Sequence, residues 1–167
     1  PSRVKHHLTT MPPKDPNRLE LLKEANLNTL AYDIEVYNEH LFNFFCPGKE
    51  KLYGREKMFE SIEHGVKAFG HSNLKVGFVG GLEPIDSLSE GMDRFGSMGA
   101  GVSINVFHPD TNTEMENYPR PTPEYLVDMV VAQRDIYKKY DLIPVFPVGG
   151  RRSSLDTEVY RGFFSEL

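Results

Sequence analysis

The residues of this chain that could do chemistry fall in short segments, each following an apolar run. Asp33-Ile34-Glu35-Val36-Tyr37-Asn38 closes one run, and strict alternation puts Asp33, Glu35 and Tyr37 on one face with Ile34 and Val36 on the other. A carboxylate there can accept hydrogen bonds from ribose hydroxyls or an ammonium group, and Asn38 can both donate and accept. A solvated strand end accounts for the same residues. Val76-Gly77-Phe78-Val79-Gly80-Gly81-Leu82-Glu83-Pro84 is a second run, ending in glycines before a helix signal. Glycines admit a flat ligand to the backbone, whose free amides and carbonyls can pair with the edge of an adenine. A tight strand-to-helix turn needs the same glycines, and Glu83 near the helix start is favoured by the dipole with or without a ligand. The spacing matches neither a Walker loop nor the dinucleotide fingerprint.

Three further groups are candidates. His108, in Phe107-His108-Pro109-Asp110-Thr111-Asn112-Thr113, is placed to be a general base or a ligand, though a loop histidine is more often neither. Arg55 begins a helix, where a cation opposes the dipole, so it invites a carboxylate partner on a ligand or on the surface. Gly149-Gly150-Arg151-Arg152-Ser153-Ser154 is either an anion site or a solvated turn. His6 and His7 point to opposite faces of a strand and make poor joint metal ligands, and we expect no metal site in this chain. Cys46 is the one cysteine, which excludes an intrachain disulfide and any cysteine set for zinc or an iron–sulfur cluster.

The elements that must position these groups are legible. Strand-like runs recur at Val4–Thr10, Thr29–Val36, Leu74–Val79, Val102–Phe107 and Ile143–Val148. A first helix starts at Asp15-Pro16 and stops near Asn26. A second runs from Arg55 to Phe69 with Phe59, Ile62, Val66 and Phe69 on one stripe and Gly70 at its end. A third follows Glu83-Pro84 through Leu88, Met92 and Phe95, and a fourth opens with Thr122-Pro123-Glu124. Between Asn38 and Gly54 we expect a long loop. The alternation of strand and helix predicts parallel strands joined by right-handed crossovers, in either a partial or closed (β/α) barrel or an open doubly wound sheet. Ligands in such folds bind at the carboxyl ends of the strands.

Composition narrows the function classes. The 167 residues suffice for one ordinary domain, and a formal charge of −5 gives no electrostatic reason to expect nucleic acid or an anionic membrane surface as partner. A small soluble metabolite is the expected ligand. No apolar run approaches the roughly 20 residues of a spanning helix, and PSRVKHH lacks a secretory core, so cytoplasm is the expected location. Pro1 just ahead of a strand suggests a truncated or processed chain.

Taken in order, these segments resemble the radical S-adenosylmethionine (SAM) superfamily, specifically the biotin synthase-like branch with the tyrosine and tryptophan lyases and the related hydrogenase-maturation enzyme. Glu35-Val36-Tyr37-Asn38 is similar to that branch's E-x-x-N segment, which contacts the SAM ribose and amino group. Phe78-Val79-Gly80-Gly81-Leu82-Glu83 is similar to the later part of its G-x-I-x-G-x-x-E adenine motif, with Phe78 for the usual isoleucine and Val76 where the first glycine stands. Phe107-His108-Pro109, Pro121-Thr122-Pro123-Glu124-Tyr125-Leu126 and Ser154-Leu155-Asp156-Thr157-Glu158 resemble later segments of the same core. Arg55 resembles the arginine that reaches the SAM carboxylate, about one helical turn early.

The resemblance implies the second half of a radical SAM TIM-like barrel over residues 1–148, with a C-terminal extension over 149–167. It implies SAM contacts from Glu35, Asn38, Arg55, Phe78, Val79, Gly80 and Glu83, with Tyr37 and His108 facing substrate. The C-x-x-x-C-x-x-C loop is absent, so a 4Fe–4S cluster would have to come from an N-terminal half-barrel segment or partner chain. The chain alone is therefore expected to be inactive. The alternative is a non-catalytic nucleoside-binding or assembly module of half-barrel form, which exposed strand edges would drive to a partner or to self-association.

Overall fold

A computed structural model describes residues 5–144 and 154–167. Four strands, β1 (His6–Thr9), β2 (Leu27–Glu35), β3 (Leu74–Gly80) and β4 (Gly101–Val106), form one sheet in the order β1-β2-β3-β4, and every adjacent pair is parallel. Sequential order with no reversal is the arrangement of a barrel segment; a doubly wound sheet needs a point where the order turns back. The architecture is thus α/β with a run of consecutive (β/α) units.

The crossovers are α1 (Arg18–Glu24) after β1, α4 (Arg55–Phe69) before β3, α5 (Ile85–Ser97) before β4 and α6 (Pro123–Tyr140) after it. Their boundaries follow local chemistry. Thr122 caps α6 by accepting from the Tyr125 amide, Pro123 takes the first turn, and Gly70 at φ 84° ends α4. Asn26, at φ 61°, stands just past α1.

The long segment between β2 and α4 is not a loop. It holds two short helices, α2 (Glu39–Phe45) and α3 (Pro47–Leu52), started by the Asn38 side chain on the Leu41 amide and by Pro47. A last short helix, α7 (Asp156–Tyr160), was not foreseen either. The expected fifth strand reaches from Ile143 to Val148; Ile143 and Pro144 are not in a strand, and 145–148 lie outside the described residues, as do 149–153 of the glycine-arginine turn and the domain boundary expected there.

The two faces of the sheet differ sharply. Leu30, Tyr32 and Ile34 of β2, Leu74, Val76 and Phe78 of β3, and Val102 and Ile104 of β4 are all fully buried, together with Ile62 of α4 and Leu88, Met92 and Phe95 of α5. Each such side chain contributes about 1.5–3 kcal/mol on burial. The other face carries small or polar groups: His7, Thr29, Ala31 and Asp33, then Lys75, Gly77 and Val79, then Gly101, Ser103 and Asn105. Two glycines make room on it. A Cβ on Gly77 would lie 2.0 Å from Asp33 Oδ1, and one on Gly101 would lie 2.5 Å from the Lys75 chain.

On the helix side, Gly91 of α5 allows close approach to Tyr37. An added Cβ would stand 2.7 Å from Tyr37 Cβ and Cγ and 3.0 Å from Phe78. Alanine gains about 1 kcal/mol in helix propensity, but overpacking against two rings costs about 1–3 kcal/mol. Gly91→Ala should therefore destabilise the fold on balance, visible as a lower urea midpoint. An unchanged or higher midpoint would show that α5 can slide away.

Candidate active site

The carboxyl ends of β2, β3 and β4 bring the candidate residues together. At the end of β2, Glu35 adopts φ 66°, and the pairing with β3 slips between Asp33 and Glu35, so that Glu35 stands opposite Phe78. This bulge ends the alternation. Asp33 stays on the inner face, whereas Tyr37, expected to face substrate, turns into the core. Its ring is stacked 5.9 Å from Phe59 and meets Phe95 edge-on at 6.3 Å, with 8% of the residue exposed.

Glu35 is held by a residue that belongs to none of the sequence motifs. Lys49, on α3, donates to Glu35 Oε1 at 2.5 Å and to the Asp33 carbonyl at 2.7 Å. Both side chains are about a quarter exposed, at 23% and 30%. Burial holds the Asp33 carboxyl above its usual range, with Glu35 pushing the same way and Lys49 opposing. Lys49 was hidden because a lysine inside an expected loop carries no spacing signal; only α3 aims it.

Glu83 is buried, and both carboxylate oxygens are used by the chain itself. The Tyr37 amide donates to it at 2.8 Å, the Asn38 amide at 2.9 Å and the Ser87 hydroxyl at 2.6 Å. The Tyr125 hydroxyl donates to the Glu83 carbonyl at 3.0 Å. Glu83 thus ties the end of β3 and the start of α6 to the segment that carries Glu35. Asn38 spends its side-chain oxygen as the α2 cap.

Arg55 also turns inward. Its Nε and Nη2 donate to the Tyr37 carbonyl at 3.1 and 2.6 Å, Nη1 pairs with Glu56 at 2.6 Å, and the guanidinium lies 4.3 Å from the Phe59 ring centre. A cation at a helix start has here found a carbonyl and two aromatic faces. Phe78 is fully buried on the helix side, and it pairs with Glu35 of β2 and Ile104 of β4. Val79 is half-buried on the inner face. Gly80 is required by packing, since a Cβ would stand 2.5 Å from Met129 Sδ and 3.0 Å from Ile104. His108 is exposed beside Asp110, 3.5 Å away.

Two further networks lie on the inner face. Asp156 of α7 accepts from Ser103 at 2.6 Å and from Gln133 at 2.9 Å, fastening α7 to β4 and α6. Lys75 crosses Gly101 to the Ile143 carbonyl.

The Lys49 ammonium occupies a site made by Glu35 and the Asp33 carbonyl, acceptors of the kind that suit a cationic amine. The residues do not fit an iron–sulfur cluster. Cys46 is buried, and burial pushes its thiol up to about 11, with Lys49 opposing and Glu35 assisting, whereas a cluster ligand must be a thiolate. Among the described residues no three histidine, cysteine or acidic side chains are grouped to hold a metal ion, and no helix is long and apolar enough to cross a membrane.

No protein-family model matches the chain. It is 33% identical over 137 residues to bacteriochlorophyllide c C-7(1)-hydroxylase of Chlorobaculum limnaeum, across 80% of this chain and 34% of that protein. Its fold is similar to that of coproporphyrinogen III oxidase (HemN) from Escherichia coli, described as a radical SAM enzyme, with a TM-score of 0.59 at 13% identity. That match covers 81% of this chain and 32% of the other. The chain therefore spans about a third of the length of each relative. The four-stranded parallel sheet corresponds in fold to part of the HemN barrel.

Proposed function

We propose that this chain belongs to the radical SAM superfamily and forms the part of such an enzyme that receives the nucleoside end of SAM. The observation that carries the reading is the cradle at the end of β2, a carboxylate beside a strand-end carbonyl, already holding an amine, in a fold similar to part of a radical SAM barrel. Sequence identity to the bacteriochlorophyllide hydroxylase supports it.

With a 4Fe–4S cluster held by residues outside this chain, bound SAM would supply radical chemistry for hydrogen abstraction from a substrate. This chain's residues bind and orient. Glu35, after release of Lys49, accepts from the ribose hydroxyls or the amino group. The backbone of Phe78 to Gly80 meets the adenine edge, and Glu83 fixes the geometry between these two strand ends without touching the ligand. Arg55 acts through the Tyr37 carbonyl. The cluster comes from an N-terminal segment or partner chain, so the chain alone is inactive. Both relatives are named for tetrapyrroles, and we extend that class to the substrate.

Calorimetry of the chain with SAM tests the reading. Saturable binding that Glu35→Ala weakens about tenfold or more, equivalent to one lost charged hydrogen bond of about 1.4 kcal/mol, supports it. Lys49→Met should tighten binding by removing the internal competitor. Equal heats for all three proteins would sink the assignment of Glu35.

A further inference from the structure

Among the described residues, α3 is the one helix that buries none of its own. Its six residues are too few to hold helical form alone in water. Lys49 is half-buried, and the other five are exposed. A Cβ on Gly48 would meet nothing within 4 Å. The elements on either side are anchored. α2 buries Phe42 and rests Leu41 and Phe45 on the core, and Tyr53, directly after α3, packs there too. α3 is thus a short span between two fixed ends.

What joins the span to the sheet is one side chain. Among the described residues, the hydrogen bonds between α3 and the strands are the two that Lys49 donates, to Glu35 and to the Asp33 carbonyl. Glu50 accepts from the Arg55 amide at 2.9 Å, an exposed contact with α4. Two open clefts adjoin the end of the span. One of about 400 Å³ lies between Leu52, Tyr53 and the prolines Pro12, Pro13 and Pro16, and one of about 380 Å³ between Glu50, Leu52, Glu39 and Arg55. The span can therefore lift with no core side chain to displace, the mark of a segment at the low end of local stability.

We infer that α3 is a ligand-released latch: Lys49 pins it to the end of β2, and a ligand whose amino group or hydroxyls take the place of Lys49 on Glu35 sets it free. The identity of that ligand rests on the radical SAM reading; the pin does not. Lys49 and the ligand compete for the same acceptors, so order in α3 and occupancy of Glu35 are coupled with opposite sign. The coupling is reciprocal, and loosening α3 favours the ligand as much as the ligand loosens α3.

Amide exchange on the intact chain, read by NMR, tests the latch without a cluster. The reporters are Glu50, whose amide donates to the Cys46 carbonyl at 3.1 Å, and Tyr53 and Gly54, whose amides donate to the Lys49 carbonyl at 2.9 and 3.2 Å. Lys49→Met removes the pin at nearly constant helix propensity, and Lys51→Met removes an exposed cation from the same helix as a control. Exchange at the three reporters is expected to quicken about tenfold in Lys49→Met and to stay unchanged in Lys51→Met. The Cys46 amide of α2 and the Leu30 amide of the sheet should keep their rates in both. Reporter rates equal to the parent's in Lys49→Met would overturn the inference, by showing that its fixed ends hold α3. Acceleration that extends to Cys46 and Leu30 would overturn it as well, since the fold rather than a pin would have been lost. SAM supplies the second arm. Once calorimetry shows it bound, it should quicken the three reporters in the parent and leave them unchanged in Lys49→Met; bound SAM that slows them or leaves them unchanged in the parent overturns the latch. Absence of SAM heat with the Lys49→Met acceleration intact removes the nucleoside reading and leaves the pin standing.

Discussion

Glu83→Ala should cost about 4 kcal/mol of stability, the largest loss expected from any single substitution at the candidate site. The carboxylate accepts from two backbone amides and a hydroxyl, and the Tyr37 amide that it satisfies is buried. Hydrogen bonds to a charged group are worth about 1.5–3 kcal/mol each, and a buried donor left without a partner adds its own penalty. Glu83→Gln keeps one acceptor oxygen but turns an amide nitrogen toward a second donor, so it should lose about half as much. Urea unfolding measures both, and amide exchange localises the effect. Faster exchange at Tyr37 and Asn38, with β4 unchanged, is expected; uniform exchange across the sheet would mean that Glu83 does not act through this segment.

Lys75 yields the second large effect, with the opposite sign. It is 2% exposed, and burial pushes its ammonium down to about 8, with Asp156 pulling upward and Lys5 pushing further down. An unfolded chain would hold that proton up to the ordinary lysine value of 10.5. Between these limits the unfolded state binds more protons than the folded one, so stability rises as pH climbs from about 8 to about 10.5. Below that window the buried charge imposes a constant penalty of about 3 kcal/mol. Lys75→Met removes the penalty and loses one hydrogen bond to the Ile143 carbonyl, worth about 1 kcal/mol. Urea midpoints should therefore rise at neutral pH by the equivalent of about 2 kcal/mol, and the alkaline increase should vanish. A variant less stable than the parent at every pH would show that the amine stabilises this position.

Four of the five expected strands and the helices α1, α4, α5 and α6 were legible because their signals are local and repeated. The stripe Phe59, Ile62, Val66 and Phe69 defines α4 between Arg55 and Gly70, and Thr122-Pro123 starts α6 in the expected register. What escaped depends on contacts between distant residues. Strict alternation put Tyr37 beside Glu35, but one residue at φ 66° reverses the faces, and no pattern within the strand announces it. Arg55 invites a carboxylate on a ligand or on the surface; Glu56 supplies a surface one, and the Tyr37 carbonyl, 18 positions earlier in the sequence, takes Nε and Nη2. Glu83 carried a motif's label as a ligand, whereas its oxygens serve the fold. Lys49 and α3 lay in a stretch with too little periodicity to read.

The covering of the last strand limits how the sheet can be extended. Ser154 makes an antiparallel bridge to Asn105 on β4, and the Asp156 network anchors the segment there. Two copies related by a two-fold axis along the strands would complete a parallel barrel only by placing β1 of each on β4 of the other, so both seams would need that cover stripped away. Strands added at β1 alone leave the bridge intact. The two edges of the described sheet are thus unequal: β4 carries the Ser154 bridge at Asn105, and β1 carries no isolated bridge among the described residues.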